Sequence, residues 1–227
     1  MARITLDGGE IDYLLIPGTN NMLPPLVLLH EGLGCIAIWR RFPHQLGAMT
    51  GRTVLIYSRF GYGHSSPTNL PRSSDYMHIV ALAVMPTLLS RLSLSDPVLI
   101  GHSDGASIAL LYASENPVSG LVLMAPHVFV EDITLRGIEV ARHAFQRGEL
   151  IRELAFFHLE PTAVFLNWSE VWCSAAFRDW NIEYCLPKIS APILLLQGAY
   201  DEYGTQAQLD AIEHLKGDAT LSDLCSV

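Results

Sequence analysis

Residues Gly101-His102-Ser103-Asp104-Gly105 set a serine between two glycines, directly after the apolar run Pro97-Val98-Leu99-Ile100 and directly before a helical pattern from Ala106 to Ala113. A Gly-x-Ser-x-Gly at a sharp strand-to-helix turn pushes the serine hydroxyl out of the backbone, where it can attack a carbonyl, and the glycines relieve crowding around it. A serine alone is a poor nucleophile. It needs a base to take its proton, a group to orient that base, and N–H donors for the oxyanion that forms.

Two of these parts can be read from local pattern. In Leu28-Leu29-His30-Glu31-Gly32-Leu33-Gly34 a Gly-rich loop follows an apolar strand, and the Gly32 N–H is the leading oxyanion donor. The Asp104 N–H is the second, because the residue after the nucleophile opens the helix and aims its N–H at the same spot. In Leu194-Leu195-Leu196-Gln197-Gly198-Ala199-Tyr200-Asp201-Glu202 a buried strand ends in Gly and reaches Asp201, a carboxylate at the same end of the sheet and after the serine in chain order. Asp201 is thus the candidate orienting acid, and Glu202 is expected to face away. Alternation along a strand predicts that His102 points opposite to Ser103. The side chains of Glu31 and Asp104 flank the oxyanion position and face either solvent or a cationic or hydroxylated substrate group.

These loops need a sheet to carry them. Short apolar runs at 3–7, 11–16, 26–30, 53–58, 97–102, 120–124 and 192–197 read as strands, the first two as an antiparallel entry. Helical periodicity at 38–49, 77–92, 105–115 and 205–216 separates the later ones. The class is α/β, a mostly parallel sheet with helices on both faces. More than sixty residues separate Met124 from Pro192, too many for a simple crossover. Residues 127–187 are therefore expected to form a helical cap, with the core built from 1–126 and 188–227. The cap includes helical stretches at Ile138–Phe145 and Leu150–His158, and Trp168, Trp172 and Trp180 either line a substrate pocket or pin the cap to the core.

The loop His30 to Gly34, the turn Ser58-Arg59-Phe60-Gly61-Tyr62-Gly63-His64-Ser65, the elbow 101–105 and the loop 198–201 fall in the order of the α/β-hydrolase superfamily, which the chain resembles over nearly its whole length. The resemblance implies a Ser-Asp-His triad, no cofactor, a cap that governs substrate choice, and His30 as scaffold of the oxyanion loop. It points to a serine hydrolase acting on a small carboxylic ester. A carbon-carbon bond hydrolase, a cyanohydrin lyase and a catalytically silent ligand-binding relative are the alternatives. Ser rather than Asp at 103 disfavours the haloalkane dehalogenase and epoxide hydrolase branches.

The triad histidine should follow Asp201 in a loop after one more strand. Typical element lengths place it at about position 228, with Ala219–Val227 as that last strand. The expectation is therefore a chain that stops just short of its base, with low activity and self-association through the uncovered sheet. His214 lies in the pattern of an amphipathic helix. His127, delivered to the sheet end by Leu123-Met124-Ala125-Pro126, is the candidate pocket-lining residue or surrogate base. His44, His64, His78, His143 and His158 carry no site signal.

Composition bounds the remainder. The chain has 227 residues, half of them apolar, enough for one sizeable core. A net charge of −9 argues against nucleic acid or an anionic membrane as partner and leaves a small-molecule substrate. No export signal or membrane-spanning run is apparent. Cys35, Cys173, Cys185 and Cys225 show no C-x-x-C spacing, so no metal site is expected, and free thiols suggest the cytoplasm.

Overall fold

The computed structural model describes residues 1–68 and 71–216. Among them are seven strands in one sheet of order β1-β2-β4-β3-β5-β6-β7: β1 (Ala2–Leu6), β2 (Gly9–Ile16), β3 (Leu26–Leu29), β4 (Val54–Tyr57), β5 (Val98–His102), β6 (Gly120–Met124) and β7 (Ile193–Leu196). β1 and β2 pair antiparallel and β2 joins β4 antiparallel; every later pairing is parallel. β3 and β4 are buried at every position, as continuous apolar runs covered on both faces must be.

The parallel register decides where the loops meet. Leu29 pairs with Gly101, His102 with Met124, and Met124 with Leu196, so β3, β5, β6 and β7 end level. The loops beginning at His30, Ser103, Ala125 and Gln197 therefore open on one edge of the sheet, where α/β folds bind ligands.

The helices are α1 (Phe42–Thr50), α2 (Tyr76–Ile79), α3 (Met85–Arg91), α4 (Asp104–Ala113), α5 (Asp132–Gln146), α6 (Glu149–Leu154), α7 (Pro161–Trp172) and α8 (Gln206–Lys216). The single helix expected over 77–92 is interrupted by a wide π turn, Val80–Val84. Pro86 explains it: its ring displaces the carbonyl four residues back and its nitrogen donates no hydrogen bond. α4 is buried along its whole length beneath β5 and its neighbours.

Between β6 and β7 the chain is helical, through α5, α6 and α7. The two ends of this excursion are stitched together by the Ile182 N–H, which donates to the Val128 carbonyl at 2.8 Å, and by a bridge between Phe129 and Asn181. Trp172 and Trp180 pack with Phe177, Trp180 stacked on it at 5.1 Å, and tie the segment to the core. Trp180 is thus an anchor, whereas Trp168 and Trp172 also face a cavity described below.

Among the described residues no helix is long and apolar enough to cross a membrane. Cys35, Cys173 and Cys185 are free thiols, the first and last of them buried. Cys225 and the strand expected over 219–227 lie outside the described residues.

Candidate active site

Ser103 sits where β5 ends and α4 begins, with φ 51° and ψ −117°. That conformation is costly for a residue with a Cβ and persists only where the surroundings enforce it. Here the Ser103 N–H donates to the Met124 carbonyl at 2.9 Å, and its own carbonyl accepts from the Ala106 and Ser107 N–H groups. The flanking glycines are required by close approach. A Cβ on Gly101 would lie 2.4 Å from the Gly105 oxygen, and one on Gly105 would lie 2.1 Å from the Leu29 oxygen.

Above the elbow is a cavity of about 260 Å³. Its polar lining comes from Ser103, Gly32, Asp104, Glu31, His102 and His127, and its walls from Leu33, Ile138, Trp168, Trp172 and Tyr203. The structure therefore brings together Ser103, both candidate oxyanion residues and His127. Neither the Gly32 nor the Asp104 N–H has an acceptor among the described residues. For Asp104 this follows from its place in the first turn of α4, where no intrahelical partner exists and the helix dipole favours negative charge.

Three side chains that sequence reasoning gave no role hold the site in place. Arg59 is buried and donates to the carbonyls of His30 and Glu31. Tyr76 donates its hydroxyl to the Asp104 carboxylate at 2.6 Å. His158 joins the helical segment to both loops, accepting from the Gly63 N–H at 2.9 Å and facing the Leu33 carbonyl at 2.9 Å. Only Arg59 lay in a quoted motif; Tyr76 and His158 meet partners far away in sequence. His30 accepts from the Arg59 N–H through Nε2, so its Nδ1 donates to the Glu31 carbonyl, which makes it a scaffold for the loop.

His102 lines the Ser103 cavity instead of facing away, because the strand alternation ends at the elbow, where Ser103 turns to positive φ. Asp104 does not face solvent: its carboxylate is buried against Tyr76 and lies 3.7 Å from Arg59. Glu31 lies 3.7 Å from His102 Nδ1. Burial works to raise the Glu31 pKa, but the His102 ring and a backbone N–H outweigh it and hold the carboxyl below its ordinary value.

Asp201 stands at the expected end of the sheet but opens on a neighbouring hollow with Gln197, Thr205 and Gln206, outside the Ser103 cavity. Its carboxylate accepts from the Tyr203 N–H at 2.8 Å and the Gly204 N–H at 3.2 Å. His127 stands between the two regions. Its Nδ1 is buried without a partner among the described residues, and its ring meets Trp172 edge-on at 5.3 Å. Gly204 packs against it, close enough that an added Cβ would lie 3.2 Å from the ring. His214 is exposed on α8, on the covering layer as expected.

Burial pushes the pKa of His127 below the ordinary 6.5, although the charges of Asp104 and Asp201 oppose the shift. Burial and the Arg59 charge push His30 well below it, and burial lowers His158. As pH falls through 6.5 the unfolded chain takes up protons that the folded chain refuses, so stability present above 6.5 is lost on acidification. We expect the urea midpoint to be flat above about pH 7 and to fall below it, by up to about 1.4 kcal/mol per pH unit for each histidine. The carboxylates add to the loss only below their ordinary 4.5. A midpoint unchanged from pH 7 to 5.5 would show that these rings are protonated in the fold.

A family model described as the alpha/beta hydrolase fold matches residues 24–167, which include the loop at His30, the Arg59 turn and the elbow. The chain belongs to the alpha/beta hydrolase family. Among relatives of this chain, a proline iminopeptidase from Lactobacillus helveticus is 30% identical over 50% of the chain and 38% of its own length. A proline iminopeptidase from Lactobacillus delbrueckii subsp. bulgaricus is 28% identical over 80% of the chain and 61% of its own length. The chain thus spans between 38% and 61% of the length of these two relatives. Its fold is similar to that of an enol-lactonase from Burkholderia xenovorans, with a TM-score of 0.75 at 18% identity, covering 99% of this chain and 91% of that one.

Proposed function

We propose that this hydrolase cleaves small carboxylic esters or related acyl substrates with Ser103 as the nucleophile. The observation that carries the reading is the meeting, in one cavity, of a serine held at positive φ and two N–H groups without acceptors among the described residues, those of Gly32 and Asp104. Attack by Ser103 on a carbonyl creates a negative oxygen, and those two groups are the donors for it. The mainly apolar walls of the cavity and its volume suit a compact acyl group. The segment 127–187 serves as a cap, since Ile138, Trp168 and Trp172 from it face the nucleophile. The proline iminopeptidase relatives extend the candidate substrates to peptides. The free thiols suit a reducing cytoplasm.

Ser103 must also lose a proton. Asp201 is the proposed orienting acid: its charge favours the protonated His127 ring, while its carboxylate is held by the Tyr203 and Gly204 N–H groups. His127 is the candidate base among the described residues: it shares the cavity with Ser103, its Nδ1 has no partner among them, and the Asp104 and Asp201 charges favour its protonated form against the opposing burial. Titration with a fluorophosphonate, which phosphonylates activated serines, tests both assignments. Slow labelling, in keeping with the low activity expected of a chain without the later histidine, is expected in the wild type and none in Ser103→Ala; labelling that survives Ser103→Ala would end the nucleophile assignment. His127→Gln is expected to slow labelling at least about 100-fold if its ring is the base. Unchanged labelling would confine His127 to lining the pocket.

A further inference from the structure

Arg59 is buried at 3% exposure, and the reaction proposed above leaves it without a part. Its guanidinium donates to the His30 carbonyl and, at 2.8 Å, to the Glu31 carbonyl. The same group lies 3.7 Å from the Asp104 carboxylate. Asp104 also accepts from the Tyr76 hydroxyl, which in turn accepts from the Trp172 indole N–H at 3.2 Å. All four side chains are buried behind the elbow.

The peptide bond between Glu31 and Gly32 is planar and trans, so its C=O and N–H point in opposite directions. A donor that pins the Glu31 oxygen from behind therefore aims the Gly32 N–H the other way. Gly32 lines the Ser103 cavity. A positive charge behind the oxygen also polarises the peptide unit, which strengthens its N–H as a donor. The second donor belongs to Asp104, whose side chain is held by Tyr76 and faced by Arg59. One guanidinium thus touches the supports of both donors. It also offsets a buried carboxylate one residue from Ser103, which would otherwise oppose the negative charge forming on the substrate oxygen.

We propose that Arg59, acting through the Glu31 carbonyl and the Asp104 carboxylate, is a positioning residue that sets the aim and strength of both oxyanion donors. The inference rests on the reading of Ser103 as an acyl-transfer nucleophile. Trp172 extends the arrangement to the substrate, because its ring walls the cavity while its N–H ends the chain through Tyr76 to Asp104.

The test uses the whole chain carrying Arg59→Lys, which keeps the charge and loses the planar fork that reaches two carbonyls. With ¹⁵N-glycine in the protein, the Gly32 amide resonance is expected to shift more than those of Gly51 and Gly120, which lie away from the site. In parallel, Ser103 is labelled with a fluorophosphonate and with its P=S analogue, whose sulfur accepts hydrogen bonds poorly. The wild-type preference for P=O is expected to shrink about tenfold or more, with little change in reagent affinity. Loss of general packing would slow both reagents alike and leave that preference intact. A Gly32 amide that does not move overturns the proposal whatever happens to labelling. A wild-type chain that never labels overturns the Ser103 reading, while the amide shift still decides the role of Arg59. Tyr76→Phe removes one buried hydroxyl and keeps the ring, and serves if Arg59→Lys does not fold. In the uniformly ¹⁵N-labelled chain it is expected to shift the Asp104 amide, and it is expected to reduce the P=O preference severalfold; an unmoved Asp104 amide overturns the Asp104 half of the proposal.

Discussion

Gly105→Ala is expected to lower the unfolding free energy by about 3 kcal/mol, whereas Gly198→Ala leaves it within about 0.5 kcal/mol of wild type. Helix propensity alone predicts the opposite for the first variant, since alanine is favoured over glycine by about 1 kcal/mol inside a helix. Packing outweighs it. The new Cβ would lie 2.1 Å from the Leu29 oxygen, 2.6 Å from the Leu29 carbonyl carbon and 2.9 Å from the His30 oxygen, all backbone atoms that no rotamer change can move. Either α4 lifts off β3 or the Leu29–Gly101 register distorts, and both partners are buried. Gly198 is exposed, and a Cβ there would meet no described atom within 4 Å. Urea unfolding of the two variants provides the measurement, read as a change in midpoint at constant slope. Wild-type stability in Gly105→Ala would mean that α4 rides freely over β3.

Gly32→Ala is expected to slow phosphonylation of Ser103 by about 100-fold. Alanine can adopt most backbone conformations, so the effect comes from contact: the Cβ would lie 2.3 Å from Cδ1 and from Nε1 of Trp168. Trp168 is itself buried on α7 and packed edge-on against Phe165 and Tyr203. The loop must therefore give way, and a displaced loop turns the Gly32 N–H from the position it shares with the Asp104 N–H. Truncating the obstacle should undo part of the damage. Gly32→Ala combined with Trp168→Ala is expected to label faster than Gly32→Ala alone, a non-additivity that marks direct contact. A single variant that labels at the wild-type rate would remove Gly32 from the oxyanion role.

The same contrast between local pattern and long-range contact runs through the whole molecule. Strands such as Leu26–Leu29 and Val54–Tyr57 were legible because a strand buried on both faces must be an unbroken apolar run. α7 was not singled out, because a helix buried on most sides shows no clean apolar stripe. Helical periodicity also read through Pro86 and missed the π turn. The placing of Ser103, Gly32 and Asp104 around one cavity is legible, since an elbow and a Gly-rich loop are short-range devices. Arg59, Tyr76 and His158 were not recognisable as supports, because each acts on atoms 28 to 125 residues away.

The sequence by itself determined the class of the sheet, the order of its loops and the serine that the elbow exposes, because apolar runs, glycine spacing and helix starts are properties of neighbouring residues. Only the tertiary structure decided that His102 and His127 share the Ser103 cavity, that Asp201 opens on the hollow beside it, and that the Asp104 carboxylate turns inward to Tyr76 and Arg59. Those outcomes depend on which side chains compete for a buried position once the strands are in register. That competition is settled by desolvation and hydrogen-bond satisfaction across the fold, and a linear pattern does not contain it.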